Sequence, residues 1–172
     1  MKTGLWMAAA GLLGLAACGS GEDAPAKIDA AAAANIRLQP GQWELVQETV
    51  RVSAPGMPPG AAEMMKMPPV VVRTCIAPAE AGKPGPDLFS GNKDPGCKTE
   101  GFSAKAGRVA GTMTCRSGAG ETTVTKLEGD FTAEEFEVRL AARTEGGGSE
   151  AVDTEMRSRG RRTGECPAGV AG

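Results

Sequence analysis

From Pro40 onward, apolar and polar residues alternate in short runs that glycine and proline interrupt. Alternation with a period of two puts every second side chain on one face of a strand. The runs cover residues 42–52, 70–75, 98–104, 108–116, 122–129, 134–143 and 151–162. The sixth is the cleanest: Phe136, Val138, Leu140 and Ala142 share one face, while Glu137, Arg139 and Ala141 take the other. Lys105-Ala106-Gly107 fits a three-residue hairpin with glycine in the left-handed position. Residues 130–135 and 145–149 read as longer hairpin loops. Only residues 77–89 hint at a helix, with Pro78 near its start and Gly82 and Pro84 limiting its length. The pattern therefore predicts an all-β domain: an antiparallel curved sheet or partly closed up-and-down barrel of about seven strands, with one short helical segment.

The first residues follow a different grammar. Met1 and Lys2 precede an apolar run from Leu5 to Leu15, and Leu15-Ala16-Ala17-Cys18 then leads into polar residues 19–23. A charged start, a short apolar core and a small-residue boundary make a secretory signal. A cysteine at that boundary predicts a lipoprotein. The expected organisation is a signal peptide over 1–17, lipidated Cys18 with a tether through residue 38, one domain over 39–167 and a tail over 168–172. The tether includes an alanine run at 30–34. Acyl chains on Cys18 would hold the protein to a membrane, since each buried methylene is worth about 0.8 kcal/mol. No other apolar run reaches the ~20 residues a spanning helix needs. Gly19, and not aspartate, follows the cysteine. In the common sorting pattern this implies the outer membrane, with the domain on its periplasmic side.

Charge and composition narrow the chemistry. The full chain carries a net charge of −2, and loss of Lys2 with the signal leaves 18 basic against 21 acidic side chains. That balance gives no footprint for nucleic acid. The chain has no histidine, so no Ser-His-Asp or Cys-His relay and no imidazole ligand can be built. Chemistry on paired carboxylates stays open, but no short motif marks a pair. A non-enzymatic protein without a cofactor is expected.

Beyond the signal, the aromatic residues are Trp43, Phe89, Phe102, Phe131 and Phe136. So thin a core calls for covalent bracing. With Cys18 lipidated, Cys75, Cys97, Cys115 and Cys166 remain, an even count suited to two disulfides in an oxidising compartment. A Cys₄ zinc site is the rival, but there is no C-x-x-C knuckle. If Ala104 faces Arg108 across the hairpin, Cys97 falls opposite Cys115. A plain meander would then leave Cys75 and Cys166 at opposite ends of the sheet. A crossover by residues 76–96, or a tail curling back after Gly160, would bring them together. The favoured pairing is Cys97–Cys115 with Cys75–Cys166; its chief competitor is Cys75–Cys97 with Cys115–Cys166.

Several landmarks recur in a fixed order. Pro40-Gly41-Gln42-Trp43-Glu44 opens the domain, and Pro55-Gly56-Met57-Pro58 follows its first strand. Arg73-Thr74-Cys75-Ile76, a lone Cys97, Met113-Thr114-Cys115 and a closing Arg161-Arg162-Thr163-Gly164-Glu165-Cys166 come next. Over roughly residues 38–167 this resembles the bacterial family catalogued as domain of unknown function 3617, common among secreted and lipid-anchored proteobacterial proteins. The resemblance implies an envelope location and all-β character, and implies no activity, ligand or catalytic residue. The long alanine-rich tether and the run Gly146-Gly147-Gly148 depart from the family pattern.

Three sets of residues are candidates for contact chemistry. Met57, Met64, Met65 and Met67 cluster among prolines in one loop. Thioethers suit Cu(I), although adaptable apolar filler is the plainer role for methionine. Arg157, Arg159 and Arg161 alternate on the last strand and share a face that could meet phosphate groups. Glu135, Glu137, Glu150, Asp153 and Glu155 offer the plainer alternative of cross-strand pairing. Trp43 could stack on a ligand or anchor the core. The expected role is binding a small apolar or lipid-like ligand, or an envelope component. Soft-metal handling by the methionine loop and a purely structural interaction module are the alternatives.

Overall fold

A computed structural model describes residues 36–169. The expected signal peptide, Cys18 and the tether through residue 35 lie outside the described residues. Seven strands form a single sheet: β1 (Gly41–Ser53), β2 (Val70–Ile76), β3 (Lys98–Lys105), β4 (Arg108–Arg116), β5 (Glu121–Phe131), β6 (Glu135–Gly146) and β7 (Ser149–Gly164). Their order is β2-β1-β7-β6-β5-β4-β3, with every neighbouring pair antiparallel. The sheet is open, with β2 and β3 as its edges, so of the two expected architectures the curved sheet is the one found. Each predicted run is a strand.

Three five-residue helices accompany the sheet: α1 (Ala61–Met65), α2 (Pro78–Gly82) and α3 (Pro86–Ser90). The expected single helical segment is thus two separate turns, each started by a proline at a position that tolerates one. The break falls at Lys83, which leaves the helical region because it precedes Pro84. No sequence signal marked α1, which buries none of its residues.

Strand direction decides the covalent framework. β2 and β3 lie at opposite edges and run the same way, so the chain between them crosses the sheet. Gln42 is the partner of Cys75 on one side and of Gly164 on the other. Cys166 lies just beyond Gly164, and the Cys75–Cys166 disulfide closes over the start of β1. Cys97 and Cys115 form the second disulfide.

The route to that second bond differs from the expected register. Lys105 faces Arg108, so the β3–β4 turn is one residue shorter than expected, with Ala106 (φ 51°) and Gly107 (φ 74°) both left-handed. A bulge between Glu100 and Ser103, at left-handed Gly101 (φ 60°), takes up the difference. Lys98 then faces Thr114, which leaves Cys97 opposite Cys115. The β6–β7 connection is also tighter than the expected loop. Gly147 (φ 64°) and Gly148 (φ 78°) make a two-residue turn whose angles suit glycine at both places.

The core lies on one face. Trp43, Val109, Met113, Leu127, Phe131, Phe136, Val138 and Leu140 point inward from the sheet, and the crossover adds Ile76, Ala81, Leu88 and Phe89. The Phe89 ring centroid lies 5.1 Å from that of Phe136 on β6, and 6.2 Å from those of Phe131 on β5 and Phe102 on β3. β6 and β3 are three strand spacings apart, about 14 Å in a flat sheet. One ring can meet both only if the sheet curls around it, which makes the inner face concave. Gly160 leaves room for this packing, since a Cβ there would collide with the Phe136 ring.

Candidate functional site

The crossover covers only part of the concave face. It is fixed to β1 where Gln47 Nε2 donates to the Ser90 carbonyl oxygen (2.6 Å). The chain then turns away through left-handed Gly91. Past this point a trough of about 210 Å³ remains, bordered by Ser90 and Asn92. Its floor comes from inward positions of four strands: Met113 and Cys115, Thr123 and Thr125, Leu140 and Ala142, and Met156. Strand pairing sets these side by side, with Leu140 between Leu127 and Met156, and Thr125 between Met113 and Ala142.

The face changes character along its length. Trp43, Phe131 and Phe136 fill the covered half, and smaller aliphatic and hydroxyl side chains line the trough. Several of its polar groups are engaged within the fold. Thr123 and Thr144 share a hydrogen bond of 2.8 Å between their Oγ1 atoms. Asn92 Nδ2 lies 3.5 Å from the sulfurs of both Cys97 and Cys115, and its Oδ1 accepts from the Asp94 backbone N–H at 2.8 Å. None of the residues lining the trough is ionisable, the Cys115 sulfur being disulfide-bonded. Such a surface can bind an apolar body and hydrogen-bond one polar end, but it holds no general acid or base.

The residues singled out in the sequence fall elsewhere. Trp43 is fully buried, stacked on Phe136 at 6.0 Å, with Nε1 donating to the Gln39 carbonyl oxygen (3.0 Å). The suggested ligand-stacking role is corrected accordingly: Trp43 presents no surface to a ligand and anchors the core. Arg157, Arg159 and Arg161 do share the outer face, but carboxylates meet each of them. Arg157 pairs with Glu137 (3.5 Å), Arg159 with Glu48 (3.1 Å) and Arg161 with Glu44 (3.8 Å). Glu44 also takes Arg73 (3.3 Å), and Glu155 takes Arg139 (2.8 Å). Arg143 hydrogen-bonds Glu145 and Asp153, contacts that hold its guanidinium above its ordinary pKa. Glu137, Asp153 and Glu155, expected as balancing charges, are among these partners. Pairs this exposed stabilise by little, and they leave the three arginines engaged rather than aimed at a phosphate.

The methionines stay on the surface. Met64, Met65 and Met67 are exposed and Met57 is half-buried, so the loop does not act as core filler. It follows β1, which starts where Gln39 bonds to Ala133 and ends at the opposite side of the domain. Alternation in the sequence already puts Leu140 and Ala142 on one face, and strand pairing adds Met113 and Thr125 to it. What the sequence does not reveal is that the crossover stops short of them.

No curated protein and no solved structure matches this chain. A family described as "Protein of unknown function (DUF3617)" matches residues 38–166. That span takes in all seven strands, both disulfides and the trough. With most of its length matched from Leu38 to Cys166, the chain belongs to the DUF3617 family.

Proposed function

We propose that this protein is an envelope lipoprotein, anchored through Cys18 on the periplasmic side of the outer membrane, whose domain binds a small apolar or lipid-like molecule in the inner-face trough. Support for the anchor comes from Leu15-Ala16-Ala17-Cys18 after a short apolar run, and from two disulfides that suit an oxidising compartment. The binding role rests on one observation: a concave trough past the end of the crossover, floored by buried Met113, Leu140 and Ala142 and flanked by half-buried Met156. Met156, with the edges of Met113 and Ala142, would hold the apolar body, and Ser90, Asn92, Thr123 and Thr125 would be in reach of a polar group. At about 210 Å³ the trough is smaller than the roughly 300–1,000 Å³ of drug-sized pockets. A short acyl chain or a single ring suits it. Without a nucleophile–base pair in its lining, the role is binding and not catalysis.

Titration with a fluorescent medium-chain fatty acid tests this reading. Met156→Lys puts an ammonium into the trough from a half-buried position whose side chain can still reach water. It is expected to weaken binding at least about tenfold, since an unpaired charge penalises apolar contact. Met64→Lys, on the exposed loop, is expected to leave binding unchanged. Equal affinity of Met156→Lys and the parent protein would remove the trough from the account.

A further inference from the structure

We propose that β2 is a pairing edge whose partner is β2 of a second copy of this chain. The two edges of the sheet are built differently. β3 carries Lys98, Glu100 and Lys105 and is interrupted by the bulge at Gly101. Charges and bulges are what keep an edge strand from pairing further. β2 has neither over its first three residues. It pairs with β1 from Val70 to Ile76 without a register shift, and Val70, Val71 and Val72 are 51%, 57% and 49% exposed. An unbulged, β-branched edge of this kind invites another strand.

The backbone separates a strand from a lipid surface as the occupant. Valines would suit either, but the N–H and C=O groups of β2 that have no partner among the described residues would go unsatisfied in hydrocarbon. Another strand satisfies them, and in doing so continues the sheet.

The residues of β2 are compatible with their own reverse. A two-fold axis through an antiparallel pair sets residues of equal parity opposite one another, so that each strand supplies the same surface. Centred on Val72, the pairing lays Val72 beside Val72, Val70 beside Thr74 and Val71 beside Arg73. No like charges face each other, and each Arg73 keeps its Glu44 partner at 3.3 Å within its own copy. A register centred on Arg73 would set two guanidinium groups opposite one another, which is unfavourable. Pro69, lacking an N–H, ends the pairing on one side, and disulfide-bonded Cys75 bounds it on the other. Residues 70–74 therefore form a complete, self-complementary edge.

Cross-linking of the full-length chain in its own envelope tests the pairing. Val72→Cys is expected to give, under mild oxidation, a species of twice the chain's mass that reductant removes. Thr99→Cys, exposed on the β3 edge, is expected to give none. To guard against disulfide scrambling with Cys75, sedimentation of the detergent-extracted parent is expected to show a dimer. Val72→Lys is expected to sediment as a monomer that keeps the parent's circular-dichroism spectrum. A monomeric parent, or a Val72→Cys cross-link to a protein of another mass, would overturn the proposal.

Discussion

Replacing Phe89 with alanine is expected to cost about 3–5 kcal/mol, the range for deleting a fully buried aromatic ring. Its ring is fully buried and meets aromatic rings on β3, β5 and β6 at once. Few other large side chains are on hand to fill the void, because the remaining core aromatics are Trp43, Phe102, Phe131 and Phe136. Against a typical domain stability of about 5–15 kcal/mol, that loss leaves little margin. Urea unfolding would show it as a large drop in midpoint. A cost below about 1 kcal/mol would mean that the crossover is not docked on the concave face as described. The same variant should loosen the Gln47–Ser90 contact that borders the trough.

The second large effect concerns the disulfides. Cys75–Cys166 closes a sequence separation of 91 residues, and Cys97–Cys115 one of 18. Chain entropy in the unfolded state makes the longer loop the more stabilising, by about 1.4 kcal/mol, within totals of roughly 3–5 kcal/mol. The paired serine variant at Cys75 and Cys166 is therefore expected to unfold at lower urea than the paired variant at Cys97 and Cys115. Structure points the same way. Cys97 and Cys115 flank a hairpin already held by β3–β4 pairing, whereas Cys75–Cys166 ties an edge strand to the end of the chain. The reverse order of midpoints would show that unfolded-state entropy does not dominate here.

Much of the fold is legible because strand burial is a local, two-residue pattern. Phe136, Val138, Leu140 and Ala142 are buried on one face, as their alternation requires. Hairpin register and strand direction likewise favour the cysteine pairing that is found, though Cys75–Cys166 hangs on a crossover that the sequence leaves open against a curled tail. The failures are where local chemistry is silent. Nothing in Lys105-Ala106-Gly107-Arg108 tells Ala106 to adopt a positive φ, so the tighter turn was missed; the compensating bulge depends on Gly101, three residues before Ala104. The trough was hidden more deeply. Alternation places Leu140 and Ala142 on one face, but their cover depends on where the crossover ends. That end is set by Pro84 breaking the helix, by the reach of Phe89 and by the turn at Gly91. These are tertiary facts. Trp43 illustrates the converse: its composition suits either a ligand platform or a core anchor, and only burial separates the two.

Under the proposed function, the trough past the end of the crossover holds a small apolar molecule. Native mass spectrometry of the full-length protein purified from its producing cells is the test. The expected spectrum shows a one-to-one adduct of a small apolar compound that Met156→Lys abolishes. Protein bearing no adduct, or an adduct that survives Met156→Lys, would contradict it.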